Sequence, residues 1–154
     1  DSLEQRILTC ERISKAGIGL SSGLLLGIGE SVEDRLKHLR FLGTFETLEE
    51  IPIMGFNPYD DTPMANEEPF PLQEQLKMVA ITRIMYPHIR ITMPTPTVGP
   101  ENVEFSLKAG AKNLATVIAD NYPHEVKGVG APEYGNYNKV VNVIEKLGLI
   151  PQTI

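Results

Sequence analysis

A chain of 154 residues, 42% of them hydrophobic and 22% charged, is long enough for one packed domain and short for two. Its net charge of −6 gives no general attraction to phosphate backbones or anionic lipids, so we expect neither nucleic acid nor a membrane as a partner. The longest apolar run, Leu24 to Ile28, is too short to span a bilayer. A single cysteine, Cys10, excludes an internal disulfide framework and favours a reducing, cytoplasmic location.

Helical and strand-like patterns alternate along the chain. Apolar residues at helical spacing behind a capping pattern at Ser2 and Gln5 predict a first helix, which Gly17 ends. Four apolar runs of strand length follow, each before a helical pattern, as expected for parallel strands joined by helical crossovers. The predicted strands span residues 19–28, 51–56, 89–93 and 114–118, and the helices after them begin near Val32, Leu72, Val103 and Val140. Four such βα units form an open sheet or one half of an eight-stranded barrel.

The glycine-rich stretch after the first predicted strand has an unusual spacing. A phosphate-binding P-loop is excluded because no lysine occurs between Gly23 and Asp34. A dinucleotide fingerprint is excluded because Val32 stands where its third glycine belongs. The spacing Gly23-x-Leu25-x-Gly27-x-x-Glu30 instead predicts an extended strand that ends in a tight turn. Since Gly23 and Gly27 lack side chains, we expect a flat ligand to approach this strand while Leu25 packs against it.

These residues resemble the G-x-I-x-G-x-x-E motif on the fifth barrel strand of radical S-adenosylmethionine (SAM) enzymes. The ordered segments AGIGLSSGLLLGIGES, IPIMGFNPYDDTPM, RIMYP and KAGAKNLAT resemble the second half of the biotin synthase branch. The resemblance implies an α/β fold in which residues 1–154 form the C-terminal half of a TIM-type (β/α) barrel, with about four parallel strands and flanking helices. It also implies a biotin and thiamin synthesis-associated region at about residues 51–122.

The resemblance assigns cofactor contacts to six residues. Arg6 matches an arginine that pairs with the methionyl carboxylate of SAM, a suitable task for a guanidinium group. Leu25 and Asn57 match positions that line the adenine. The glycine motif borders the same ring and contributes Gly23, Gly27 and Glu30.

Three of these residues have structural alternatives. Arg6 is also expected as a solvated surface charge paired with Glu4 or Glu11. Leu25 is also expected as barrel core, either alone or together with a ligand contact. Glu30 is equally expected to complement the positive amino end of the following helix.

The resemblance also implies cofactors and partners for the complete enzyme. Radical SAM chemistry needs three cysteine thiolates on a 4Fe-4S cluster, and with only Cys10 in this chain the ligands are expected upstream. The cluster and S-adenosylmethionine would generate a 5′-deoxyadenosyl radical that attacks a small-molecule substrate. The implied protein partners are the N-terminal half of the same barrel and a reductant such as ferredoxin or flavodoxin. This half alone is expected to be inactive.

Positions at which the chain departs from known family members narrow the range of expected reactions. Biotin synthase has a cysteine and an arginine, both ligands of an auxiliary two-iron cluster, where this chain has Ser21 and Thr95. Methylornithine synthase has a serine and an aspartate near the positions of Pro94 and Pro96. The remaining pattern most resembles the maturase proposed for the iron-guanylylpyridinol cofactor of methanogen Fe-hydrogenase, with biotin synthase-like and methylornithine synthase-like reactions as alternatives.

The remaining candidate catalytic and metal-binding residues form no pattern that indicates one kind of site. The three histidines are widely spaced, which is not typical of a metal site, and Asp60 and Asp61 lie in good turn sequence. Tyrosines that could close over a substrate follow the last strand, namely Tyr122, Tyr134 and Tyr137. Two other classes stay open: a cluster-free barrel enzyme with an anion site at PTVGPEN, and a half-barrel that acts as a binding or assembly module.

Overall fold

The computed structural model describes residues 2–119 and 136–152. Helices and strands alternate along these residues as the sequence predicts. In chain order they are α1 Leu3–Lys15, β1 Leu20–Ser21, β2 Leu24–Leu26, α2 Val32–Leu42, β3 Leu48–Gly55, α3 Leu72–Met85, β4 Arg90–Pro94, α4 Thr95–Val98, a 3-10 turn Pro100–Asn102, α5 Val103–Ala109, β5 Asn113–Ala115 and α6 Tyr137–Lys146.

All strand pairs in this sheet are parallel. Strands β1 and β2 both pair with β3, which pairs with β4, and β4 pairs with β5. The strands are therefore in sequential order, which confirms the predicted parallel sheet. The predicted helices after all four predicted strands are also present, although α4 and the 3-10 turn before α5 were not predicted.

The predicted strand 19–28 is divided into β1 and β2. The register against β3 shifts between Leu20 and Ser21, and Pro52 on β3 has no N–H to donate. A Cβ atom on Gly23 would lie 1.9 Å from the carbonyl oxygen of Pro52, so the chain passes β3 more closely here than a regular strand does. The predicted last strand is also shorter than expected, because Thr116 adopts a left-handed φ of 58° immediately after β5.

Two helices begin as their sequences predict. The Ser2 hydroxyl accepts from the backbone N–H of Gln5, whose side chain returns the bond, and Ser31 and Asp34 form the same capping box before α2. The core lies between one face of the sheet and the helices. It consists of Leu20, Leu24, Leu26, Leu39, Leu42, Phe45, Leu48, Ile51, Ile53, Met78, Val79, Ile91, Met93, Val98 and Ala111.

The other face of the sheet is not covered by these helices. Because side chains alternate along a strand, the residues between the core positions point to this open face. Near the carboxyl ends of the strands it carries Leu25, opposite Met54 in the register, and near the amino ends it carries Glu50 and Thr92. In the part of the chain that the structure describes, every helix is too short or too polar to cross a membrane.

Candidate functional site

A tight turn after β2 forms one wall of the site. Gly27 and Gly29 have φ angles of 92° and 108°, which residues with side chains rarely adopt. The Glu30 carboxylate accepts hydrogen bonds from the backbone N–H groups of Gly27 at 2.8 Å and Ile28 at 2.9 Å. Arg35 on α2 donates to the same carboxylate through Nε at 2.8 Å. Glu30 therefore links the turn to the following helix, α2, through hydrogen bonds.

The contacts of Glu30 keep its carboxyl group ionised. Partial burial raises the pKa of Glu30, but the backbone N–H groups of the turn and the Arg35 guanidinium outweigh burial, so the pKa lies below its usual value. Arg35 also lies 4.9 Å from the centre of the Phe70 ring, which packs beside the turn. A structural role in which Glu30 complements the amino end of α2 is expected from the sequence. The structural role seen here is that Glu30 bridges the turn and α2.

The two glycines of the motif are required by the protein itself. A Cβ atom on Gly23 would collide with Pro52, and one on Gly27 would lie 2.6 Å from the Phe70 ring. Neighbouring residues therefore fill the space on the Cβ side of both glycines. The expected ligand contact of Gly23 and Gly27 stays a prediction.

Leu25 on β2 and Asn57 just after β3 lie at the carboxyl end of the sheet. Leu25 is 43% exposed, although Leu24 and Leu26 on either side of it are buried, so it is not core among the described residues. Asn57 is exposed and follows β3, and the backbone N–H of Phe56 donates to the carbonyl of Leu26 at 2.7 Å. An apolar side chain and an amide are thus available at adjacent strand ends, where ligands of parallel α/β sheets bind.

Arg6 lies on the exposed surface of α1. Among the described residues neither Glu4 nor Glu11 lies within ion-pair distance of it, so the expected surface pair is not formed. Helix α1 packs on the core through Cys10 and Ile13, both partly buried.

A second polar group occupies the open face near the amino ends of the strands. The Glu50 carboxylate accepts hydrogen bonds from Ser21 at 2.9 Å, from Thr92 and from Asn113 at 3.4 Å. Asn113 also donates to Thr92 at 3.0 Å, and Arg90 Nε lies 3.5 Å from Glu50. We call these five residues the interior polar layer.

The interior polar layer was missed in the sequence. Burial raises the pKa of Glu50, but the hydroxyl groups of Thr92 and Ser21 and the Arg90 charge outweigh burial and lower it. The layer depends on pairing across four strands, which no local pattern reveals. One signal was available, because β4 alternates polar Arg90 and Thr92 with the apolar core residues Ile91 and Met93.

Ser21 and Thr95, the two positions at which the sequence departs from biotin synthase, form hydrogen bonds within the protein. Ser21 donates to Glu50, as described above. The Thr95 side chain is buried, donates to the carbonyl of Thr116 at 2.6 Å and accepts from Asn136 at 3.2 Å. Both hydroxyl groups thus have hydrogen-bond partners within the protein.

The remaining candidates do not converge on one place. The described residues contain no group of three or more histidine, cysteine or acidic side chains that could hold a metal ion. His38 Nε2 lies 3.1 Å from the carbonyl oxygen of Gly23, which gives that ring a structural contact. Tyr137 begins α6, whereas Tyr122 and Tyr134 lie outside the described residues. The segment PTVGPEN forms most of α4 and the 3-10 turn.

Comparison with known proteins places the chain in a family. The Biotin and Thiamin Synthesis associated domain matches residues 52–150. The chain belongs to the Biotin and Thiamin Synthesis associated family. This family forms the C-terminal part of the biotin synthase-like radical SAM proteins, which confirms the resemblance seen in the sequence.

Relatives of this family are much longer than the chain. An uncharacterized protein of Methanocaldococcus jannaschii is 54% identical over 99% of the chain and 40% of its own length. Biotin synthase of Gloeobacter violaceus is 31% identical over 97% of the chain and 45% of its own length. The chain therefore spans less than half the length of these relatives.

A solved structure confirms the fold class. The crystal structure of methylornithine synthase superimposes with a TM-score of 0.85 at 22% identity, over 99% of the chain and 46% of that protein. The chain therefore has the fold of one half of a TIM-type barrel, as predicted. The open face of its sheet corresponds to the interior of that barrel.

Proposed function

We propose that the chain is the C-terminal part of a radical SAM enzyme of cofactor biosynthesis. The observation that carries this proposal is the exposed Leu25 on β2, with the exposed Asn57 just after the neighbouring strand β3 and the turn held by Glu30 at the same strand ends. This arrangement offers an apolar surface and an amide at the face where barrel enzymes bind ligands. The membership of the Biotin and Thiamin Synthesis associated family supports the same assignment.

The described residues fit the adenosyl part of S-adenosylmethionine. Leu25 would pack on the adenine ring, Asn57 would hydrogen-bond to its edge, and Arg6 would pair with the methionyl carboxylate. The chain contains a single cysteine, so the three thiolate ligands of a 4Fe-4S cluster would come from the rest of the protein. When both are bound, the cluster and S-adenosylmethionine supply a radical that removes hydrogen from a small-molecule substrate.

For the specific reaction we propose a maturase of the iron-guanylylpyridinol cofactor type. A biotin synthase-like reaction has equal support from the relatives, but the hydrogen bonds of Ser21 and Thr95 count against an auxiliary cluster at those positions. A methylornithine synthase-like reaction is the third candidate. In each case the N-terminal half of the barrel would cover the open face, and a cytoplasmic ferredoxin or flavodoxin would deliver the electron.

The cofactor contact is tested by Leu25→Asp in the full-length, cluster-loaded protein. A charge on the adenine-facing surface is expected to weaken S-adenosylmethionine binding about tenfold or more, since burying an unpaired carboxylate costs several kcal/mol. Calorimetry measures the affinity. Leu25 is preferable to Gly27, because a side chain at Gly27 would collide with Phe70 whether or not a ligand is bound.

Ile84→Asp is the matched control for this experiment. Ile84 is an 80% exposed apolar residue on α3, so the same change there introduces a charge away from the strand ends. We expect the control to bind S-adenosylmethionine as the wild type does. If the Leu25 variant and the wild type bind S-adenosylmethionine with equal affinity, the proposed contact is contradicted. If neither of these two proteins binds S-adenosylmethionine, the proposed function is contradicted.

A further inference from the structure

The interior polar layer is unusual for its place in the fold. The interior of a TIM-type barrel is normally filled by branched apolar side chains, and the amino ends of the strands are normally packed. Here polar residues from β1, β3, β4 and β5 meet at that level, with Glu50 at their centre. Sites where a sequence departs from the local packing rule are often functional.

The Glu50 carboxylate has one oxygen with spare capacity. Its Oε1 atom is near Thr92, Asn113 and Arg90, whereas its Oε2 atom accepts from Ser21 alone among the described residues. A carboxylate oxygen accepts about two hydrogen bonds, so Oε2 has room for one more donor. The Glu50 side chain is 17% exposed in the described part of the chain, and its register on β3 places it on the open face.

The distance from this layer to the strand ends suits a small molecule. Glu50 precedes Met54 by four residues on β3, and Met54 lies opposite Leu25 in the register. At about 3.3 Å per residue, Glu50 lies about 13 Å below the level of Leu25. A substrate that enters from the strand ends and lies along the open face therefore brings its far end to Glu50.

We propose that Glu50 determines substrate specificity by accepting a hydrogen bond through Oε2 from a positively charged nitrogen of the substrate. This inference rests on the proposed function and names one chemical group of the substrate. The other members of the interior polar layer hold the carboxylate in place and ionised, so a cation is preferred to a neutral donor and an anion is rejected. Glu50 would contact the end of the substrate remote from the cofactor.

The test uses two probes with the same alkyl chain and opposite charge. Hexylammonium chloride and sodium heptanoate are titrated into the full-length, cluster-loaded protein with S-adenosylmethionine present, and binding is followed by ligand-observed NMR. We expect hexylammonium to bind more tightly than heptanoate. In Glu50→Gln the hexylammonium affinity should fall about tenfold to a hundredfold, the ratio for one charge-assisted hydrogen bond.

Glu49→Gln is the matched control, since Glu49 precedes Glu50 and is exposed on the other side of β3. We expect it to leave hexylammonium binding unchanged. Calorimetry on the same samples should show unchanged S-adenosylmethionine affinity in both variants. The inference is overturned if Glu50→Gln binds hexylammonium like the wild type, or if heptanoate binds better, which would assign the site to Arg90.

A second variant decides the matter if Glu50→Gln does not fold. Ser21→Ala removes a hydrogen bond that positions Oε2 and helps to keep the carboxylate ionised, so hexylammonium should bind more weakly. Unchanged or tighter binding in this variant would overturn the inference. The experiment separates failure of the proposed function from failure of the role of Glu50. Absence of S-adenosylmethionine binding contradicts the proposed function. Binding of S-adenosylmethionine without a preference for hexylammonium over heptanoate contradicts only the role of Glu50.

Discussion

The Glu30 carboxylate joins the turn after β2 to the first part of α2. It accepts from two backbone N–H groups of the turn and from Arg35, at distances of 2.8 and 2.9 Å. Backbone groups in a turn with two glycines at positive φ have few other partners, so Glu30 substitutes for the hydrogen bonds of regular structure. The turn that borders the proposed cofactor site therefore depends on one side chain.

Glu30→Gln in the full-length protein is expected to lower the free energy of unfolding by about 1 to 3 kcal/mol at pH 7, because charge-assisted hydrogen bonds are lost. The pKa of Glu30 is lowered in the folded state, so the carboxylate stabilises the protein above its unfolded pKa of about 4.3. This contribution is lost as the pH falls through the lowered folded pKa. Urea unfolding at several pH values measures the difference between the two proteins.

Glu33→Gln provides the control for that comparison. Glu33 forms an exposed pair with Lys37 on the surface of α2, and such pairs contribute about 0 to 1 kcal/mol. A difference for Glu30→Gln as small as that for Glu33→Gln, or one that does not diminish in acid, would contradict the role assigned to Glu30.

At the scale of elements, the helix starts were predictable and the strand pairing was less so. The capping boxes at Ser2 and Ser31 are local, so a few residues determine them. The division of β1 from β2 depends on Pro52, which is about thirty residues away in sequence. The interior polar layer depends on the register of several strands at once, which explains why the sequence pattern singled out Leu25 and Glu30 as candidates but not Glu50.

The cap of α2 gives a prediction at this scale. Ser31→Ala removes the hydroxyl that accepts from the backbone N–H of Asp34, and the loss is expected to cost about 1 kcal/mol of stability. Ser31→Thr should restore most of it, because threonine keeps the hydroxyl that accepts from the Asp34 N–H and donates to the Asp34 carboxylate. Thermal unfolding of the full-length protein measures both variants, and equal loss in both would show that the cap does not hold α2.

At the scale of the whole molecule, the parallel order of the strands follows from their alternation with helices. Each crossover contains a helix, so neighbouring strands run in the same direction, and the superposition on methylornithine synthase confirms the barrel geometry. The family could also be recognised, because ordered segments from the glycine motif to KAGAKNLAT carry it. The substrate could not, because the chain spans less than half the length of these relatives and its sequence carries no motif that is diagnostic of one reaction.

The central claim is that the complete protein binds and cleaves S-adenosylmethionine with the help of this half-barrel. The most direct test is to reduce the anaerobically reconstituted full-length protein with dithionite in the presence of S-adenosylmethionine and to measure 5′-deoxyadenosine and methionine by mass spectrometry. The account predicts both products from the full-length protein and neither from residues 1–154 alone. A full-length protein that holds a 4Fe-4S cluster and forms neither product would contradict it.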